Sequence, residues 1–295
     1  MLRSPTHAIV GSQKPDTTCD LLQRFGFVRK TERQLSAEAA RALYALDVPV
    51  RQCEMVAPGA DRGGIHVVET PHASSRFGPF DPRPVAIDLY TRDIGKSLRI
   101  AQGAGLHCGQ LVDYAVGPLQ LKEVEVEDDD GLRLVFLELE NRRPSLLDQA
   151  PDRLHSEVHS IVFAVPSAED AVTLWRDGAG LDVLVDAPIR GPVISQLMGL
   201  PKDEVPIRFV LFCDEEAHPA RLEVIEFIED PAPPRTSGPL RAGLHAAAFQ
   251  VDDLEAAMER LGRCTFRTPA EVEGRRGVAG EAPGGLCFEL WQTPS

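Results

Sequence analysis

The sequence predicts an α+β fold built from four βαβββ modules, which pair to form curved, half-open mixed β-sheets. Three observations predict it. A short apolar strand phrase recurs, as His7-Ala-Ile-Val, Val85-Ala-Ile-Asp-Leu, His159-Ser-Ile-Val-Phe-Ala-Val and His245-Ala-Ala-Ala-Phe-Gln-Val, at spacings of 78, 74 and 86 residues. Each copy is followed by a helical pattern with apolar residues at i, i+3, i+4 and i+7. Each helix then closes on glycine and gives way to strand-like sequence. A repeat of this length sets the architecture, because one unit cannot bury its own apolar face.

Taken in order, the helical stripes are Thr18, Leu21, Leu22 and Phe25; Ile94, Ser97, Leu98 and Ala101; Ala168, Ala171, Val172 and Trp175; and Leu254, Ala257, Met258 and Leu261. Each stripe lies on one helical face and must bury itself against a sheet. Asp16, Asp93, Glu169, Asp252 and Asp253 stand at or just before the helix starts, where a carboxylate caps free amides and complements the helix dipole. Gly26, Gly103 and Gly105, Gly178 and Gly180, and Gly262 stand at the ends. Segments such as Arg133-Leu-Val-Phe-Leu-Glu-Leu and Leu222-Glu-Val-Ile-Glu-Phe-Ile then read as strands.

The modules are expected over 5–70, 83–141, 157–230 and 243–292, as an N-terminal domain over 1–145 and a C-terminal domain over 155–295. Units one and three also match internally, Val48-Pro-Val-Arg51 beside Val205-Pro-Ile-Arg208, which brings Glu69 opposite Glu226. That match suggests duplication of a two-unit half, divided in the polar stretch from Asn141 to Leu154. Asp81-Pro-Arg-Pro and the proline-rich stretch from Asp230 separate the remaining units.

With 295 residues, 43% apolar and 26% charged, the chain can bury a sizeable core. A formal charge of −14 argues against nucleic acid and anionic membrane surfaces as partners. The six cysteines show no Cys-x-x-Cys spacing and read as reduced, which with no apolar run of signal or spanning length predicts a cytoplasmic protein.

The whole chain resembles the vicinal oxygen chelate superfamily: glyoxalase I, bleomycin-resistance proteins, extradiol dioxygenases and methylmalonyl-CoA epimerase. Unit four carries the resemblance best, in Gly-Leu-His245-Ala-Ala-Ala-Phe-Gln-Val-Asp-Asp-Leu and Pro-Gly-Gly-Leu-Cys-Phe-Glu289-Leu-Trp. His159 and Glu226 open and close unit three in the same way. The resemblance implies a small-molecule substrate, a homodimer, and a divalent metal ion (Zn, Ni, Co, Mn or Fe(II)). Its ligands would come from the first and last strands of paired units: His159, Glu226, His245 and Glu289. Units one and two offer His7, Glu69, Val85 and roughly Glu138, and valine binds no metal, so the first half reads as lacking a metal site. If units one and four pair instead, the set becomes His7, His245 and Glu289.

Each residue also has a structural reading. A histidine opening a strand is commonly a hydrogen-bonding residue, His7 above all, and His66 reads as a surface or edge position. Glu289 in an apolar strand needs a partner if it points inward. Glu223 and Glu229 flank Glu226 at a spacing that alternates faces, and Glu226 is preferred because, like Glu289, it precedes an apolar residue.

Three functions compete. A glyoxalase-like lyase or isomerase would use metal-bound Glu226 or Glu289 to move a proton next to a carbonyl. An extradiol dioxygenase would use Fe(II) on His159, His245 and Glu289, but no histidine follows His245 and no tyrosine follows Tyr114. A drug-sequestering binder would line its cleft with Phe163, Trp175, Phe249 and Trp291. Arg208, Arg221, Arg267, Arg275 and Arg276 are candidate substrate anchors, with surface solvation as the default.

Overall fold

The computed structural model describes residues 2–116, 119–229, 233 and 238–293. Most of the linker from Asp230 lies outside the described residues.

Unit one comprises β1 (His7–Ser12), α1 (Pro15–Arg24), β2 (Val28–Leu35), α2 (Ala37–Tyr44), β3 (Val50–Val56) and β4 (Gly64–Glu69). Unit two comprises β5 (Arg83–Thr91), α3 (Ile94–Gly103), β6 (His107–Cys108), β7 (Val112–Val116), β8 (Leu119–Glu127) and β9 (Arg133–Leu139). Unit three comprises β10 (His155–Ala164), α4 (Ala168–Val172) running into a π turn (Thr173–Gly178), β11 (Asp182–Ile189), α5 (Val193–Met198), β12 (Ile207–Cys213) and β13 (Arg221–Phe227). Unit four comprises β14 (Gly243–Val251), α6 (Leu254–Arg260), β15 (Thr265–Phe266), β16 (Ala270–Val272), β17 (Arg275–Glu281) and β18 (Cys287–Gln292).

The predicted helical stripes are the buried faces. Leu22, Phe25, Ser97, Ala101, Ala168, Leu254, Ala257 and Leu261 are all fully enclosed. Asp93 and Asp253 cap α3 and α6 by accepting from the Lys96 and Ala256 amides at 2.8 and 2.9 Å. Ser167 and Ser36 do the same for α4 and α2.

Among the described residues, eighteen strands form two mixed sheets of nine. The first runs β15-β17-β18-β14-β1-β4-β3-β2, with β16 on β17; the second runs β11-β12-β13-β10-β5-β9-β8-β6, with β7 on β8. Unit one therefore shares a sheet with unit four, through antiparallel β1 and β14. Unit two shares the other sheet with unit three, through antiparallel β5 and β10. This corrects the division into 1–145 and 155–295, because the sheets do not follow the halves of the chain. The repeat specifies units; which unit pairs with which is decided by long-range edge pairing that no local pattern encodes.

Helices α1, α3, α4 and α6 join both sheets in one core. Trp175 of unit three stacks on Phe249 of unit four at 5.3 Å and meets Phe288 edge-on at 5.3 Å, while Phe25 of unit one packs on Phe136 of unit two at 5.0 Å. In β17, Gly277 and Gly280 lie beneath Trp291 and Phe288, and a Cβ at either would come within 2.5 Å of the ring. No helix among the described residues is long and apolar enough to cross a membrane.

Candidate functional site

Each sheet curves around a concave face, and the two concavities differ in how a helix fills them. Units one and three both insert a short helix between their second and third strands. In unit one, α2 drives Leu43 and Tyr44 into the concavity, where they pack with Ile9, Val68, Ala246, Ala248 and Trp291. In unit three, α5 rests over its sheet through Ile194, Leu197 and Met198 and leaves a cavity of about 370 Å³ beneath. That volume lies within the usual range for small-molecule sites.

The concavity of units one and four holds His7, His245 and Glu289, and a cavity of about 240 Å³ remains beside the last two. His7 stacks on His66 with ring centroids 3.6 Å apart, and its Nδ1 lies 2.8 Å from Thr6 Oγ1. Burial holds His7 well below the ordinary imidazole value, with His66 adding to the effect, and burial takes His66 itself to about 3. His66 is therefore a packing partner of His7, not a surface residue. Glu289 accepts from Trp291 Nε1 at 2.6 Å, and burial raises its carboxyl to about 7 while Trp291 and Tyr44 pull it down. Burial takes His245 to about 4.

The open cavity lies in the sheet of units two and three. Its walls are aliphatic, including Val85, Val135, Leu137, Val162, Ile207 and Ile225, and its floor is acidic. Ser160 Oγ stands 2.6 Å from Asp88 Oδ2 and 2.9 Å from Glu223 Oε2. A serine hydroxyl carries one proton, so it donates to only one of the two carboxyls; the other contact requires a proton from the carboxyl itself. Burial raises Asp88 to about 7 and puts Glu223 well above the carboxylate range, where Asp88 pushes it further. On β8, beyond β9 from Asp88, Glu123 accepts from the Tyr114 hydroxyl at 2.8 Å, and burial followed by Asp88 raises it to about 8.

One end of this floor is fixed by His159. Arg221 Nη1 lies 2.9 Å from His159 Nδ1, and the ring stacks on Tyr90 at 4.0 Å. A guanidinium only donates, so Nδ1 accepts and the ring proton sits on Nε2. Burial, then the Arg221 charge, keeps this imidazole neutral.

The predicted set His159, Glu226, His245 and Glu289 is thus split between two sheets: His159 and Glu226 on one, His245 and Glu289 on the other. Backbone register explains the misreading of both histidines. Along β10, Val158 faces Leu89 while Ser160 faces Asp88, leaving His159 as the extra residue of a bulge. Along β14, Leu244 faces Val10 while Ala246 faces Ile9, so His245 is the extra residue at the matching position. A bulge re-aims its side chain. His159 still lines the cavity of units two and three, and His245 lines a smaller one beside Glu289.

Register also replaces Glu226. Val162 pairs with Glu223 in β10–β13, as Ala248 pairs with Glu289 in β14–β18, so Glu223 is the counterpart of Glu289. Glu226 instead accepts from the Ala168 amide at 3.1 Å at the start of α4, and Glu138 does the same for Ile94 and α3 at 2.7 Å. Val135 takes the corresponding place opposite Asp88 in unit two. Asp88 itself went unnoticed, although a lone aspartate in Val85-Ala-Ile-Asp-Leu carries the same signal that singled out Glu289. Of the candidate anchors, Arg208 pairs with Asp186 and Glu169, Arg276 with Glu255, and Arg221 with His159. Phe163, Trp175 and Phe249 are core residues.

Among the described residues, no group of three or more His, Cys, Asp or Glu side chains is placed to hold an ion. The alternative set His7, His245 and Glu289 does share one sheet, where His7 Nε2 and Glu289 Oε1 are buried without a hydrogen-bond partner while Glu289 Oε2 accepts from Trp291.

No protein-family model matches the sequence, and no curated protein matches it. Solved structures do. The V278E mutant of glyoxalase I from Zea mays superposes with a TM-score of 0.69 at 12% identity, covering 99% of this chain and 92% of that one. Glyoxalase I from Zea mays gives 0.62 at 13% identity, over 99% and 92%. A dioxygenase candidate from Bacillus subtilis subsp. subtilis str. 168 gives 0.67 at 12% identity, over 100% and 86%. At such identities the likeness concerns the fold. Four βαβββ units, two mixed sheets and a match along nearly the whole chain give this protein the paired-module fold of the vicinal oxygen chelate superfamily.

Proposed function

We propose that the protein is a small-molecule lyase or isomerase that moves a proton in the cavity of units two and three. Asp88 and Glu223 are its acid–base pair. The observation that carries this reading is the single hydroxyl of Ser160 joining two carboxyls on the floor of an apolar cavity. Such a pair holds one proton between its members, and a carboxyl raised to about 7 can give or take it at neutral pH. A strongly perturbed group in a cleft is a recognised mark of a functional site.

The step needs no metal and no redox partner. The ionised carboxylate removes a proton from a carbon next to a carbonyl, and the protonated carboxyl delivers its own to the carbonyl oxygen. The enol then collapses in reverse, returning a proton to the carbon from another face or to a neighbouring carbon. The aliphatic walls exclude water, and the neutral His159, held by Arg221 and Tyr90, offers its Nε2–H as a fixed donor.

The test is proton–deuterium exchange of small apolar ketones and hydroxyketones in D₂O, followed by NMR. Exchange above buffer that is lost in both Asp88→Asn and Glu223→Gln is the expected result. Exchange untouched by both substitutions would sink the assignment. A set of ligands that bind without exchange would favour the sequestering reading, which the aliphatic lining also suits.

A further inference from the structure

We propose that the ligand of this cavity is an apolar molecule carrying an amino group, received as the ammonium ion by the carboxyls of Asp88, Glu123 and Glu223. The inference rests on the assignment of the cavity made above and names the class of molecule it takes.

Its basis is a charge imbalance inside a built cavity. Asp88 and Glu123 are 5% and 7% exposed, and both line the cavity with Glu223. Among the described residues, none of the three forms an ion pair. Asp88 and Glu223 bond to Ser160 and to each other, and Glu123 bonds to Tyr114, so no partner carries positive charge. Elsewhere in the molecule, enclosed carboxyls meet N–H donors or cations: Glu157 and Glu289, each 2% exposed, accept from the Leu146 amide and the Trp291 indole. Glu125, on the same strand as Glu123, lies 3.8 Å from Arg133. Asp214 has His218 at 2.9 Å and Arg62 at 4.0 Å.

The cations near the cavity are committed elsewhere. Arg221 spends its guanidinium on His159 and on the Ala217 carbonyl at 2.9 Å. Arg142 pairs with Asp148, and Arg143 lies toward Tyr90 and His159 rather than the acidic floor. The remaining titratable groups facing the three carboxyls are Glu125, Tyr90 and Tyr114, none of which supplies positive charge. Three carboxyls enclosed by aliphatic walls lack one thing, a cation, and an ammonium supplies the donors that each of them can accept. The walls in turn demand that the rest of the molecule be apolar. A carboxylate-bearing ligand would meet three groups of its own sign, and a neutral alcohol would leave the acidic floor without a counter-charge.

Binding of an ammonium favours ionised carboxyls, so it must release protons from the cluster. Affinity therefore rises with pH until the carboxyls are already ionised in the free protein.

The experiment is titration calorimetry on the full chain with n-octylamine, n-octanol and n-octanoate, in two buffers of different ionisation enthalpy. Octylamine is expected to bind at least roughly tenfold more tightly than octanol, with octanoate weakest and with protons released on amine binding. Glu123→Gln and Asp88→Asn should erase the preference of amine over alcohol, and cooperative thermal unfolding followed by circular dichroism shows that the variants are folded. Equal binding of amine and alcohol, or a preference that survives both substitutions, overturns the inference but leaves the acid–base pair standing, since that is read by deuterium exchange. Absence of binding by all three probes overturns the inference and the cavity assignment together.

Discussion

Asp88 and Glu223, on strands separated by β10, face each other across one hydroxyl, with Ser160 Oγ at 2.6 Å from the first and 2.9 Å from the second. The proton they share sets how stability responds to pH. Both carboxyls are raised in the folded state, Asp88 to about 7, so the folded protein binds more protons than the unfolded chain above the ordinary carboxylate range. That contribution is complete in acid and is lost as pH rises through the folded values. The buried histidines act in the opposite sense: His159 and His245 are lowered, so their contribution is full above about 6.5 and is lost as pH falls. The melting temperature is therefore expected to fall between about pH 6.5 and 8.5, where only the carboxyls titrate. Scanning calorimetry of Asp88→Asn should show a flatter profile across that window.

Replacing Ser160 by alanine removes the bridging hydroxyl and leaves two buried carboxyls in direct opposition. A loss of about 1–3 kcal/mol is expected, the usual cost of an unsatisfied buried polar group. Its melting temperature should recover toward that of the wild type as the pH is lowered, because protonation lets the carboxyls bond to each other. A loss independent of pH would show that the hydroxyl serves packing alone.

The plugged concavity makes a separate prediction. Leu43→Ala opens a void among Ile9, Val68 and Tyr44 and should cost about 2–5 kcal/mol in denaturant unfolding. Ligand binding in the other cavity should be unchanged, because α2 contributes nothing to its walls.

Metal content supplies a fourth check. Because His159 and His245 stand in different sheets, neither His159→Ala nor His245→Ala should change the response of the melting temperature to added zinc, nickel or chelator. A metal-dependent stabilisation that His245→Ala abolishes would overturn this expectation and point to His7, His245 and Glu289 in the sheet of units one and four.

The four units and their helices were legible because each rests on local periodicity: the stripe from Thr18 to Phe25 or from Leu254 to Leu261 has one face that can be buried. The concavity was half legible. Glu289 and Glu223 occupy matching places, yet Glu226 looked equivalent because it too precedes an apolar residue. His159 and His245 stood out as strand openings, but each is a bulge residue, and a one-residue insertion moves a side chain off the face that alternation assigns. Nothing in the local sequence marks a bulge. Asp88 was readable in principle, as a carboxylate in an apolar strand, and gained its meaning only when β5 and β10 came together. The choice of partners depends on contacts far apart in the chain, such as Ile9 with Ala246 for units one and four and Ile87 with Ile161 for units two and three.

That choice of partners has a consequence for how the molecule is made. The sheet of units two and three occupies one continuous stretch, Arg83 to Phe227, so every strand of it has emerged before unit four is synthesised. The other sheet joins β1 to β14 and cannot close until the last unit arrives. During synthesis, unit one waits with an unpaired β1 edge, exposed to any other strand it meets. The cavity-bearing sheet assembles first from near neighbours, and the final, slow event is long-distance closure of the chain's two ends, which high contact order makes the step most sensitive to chaperones and temperature.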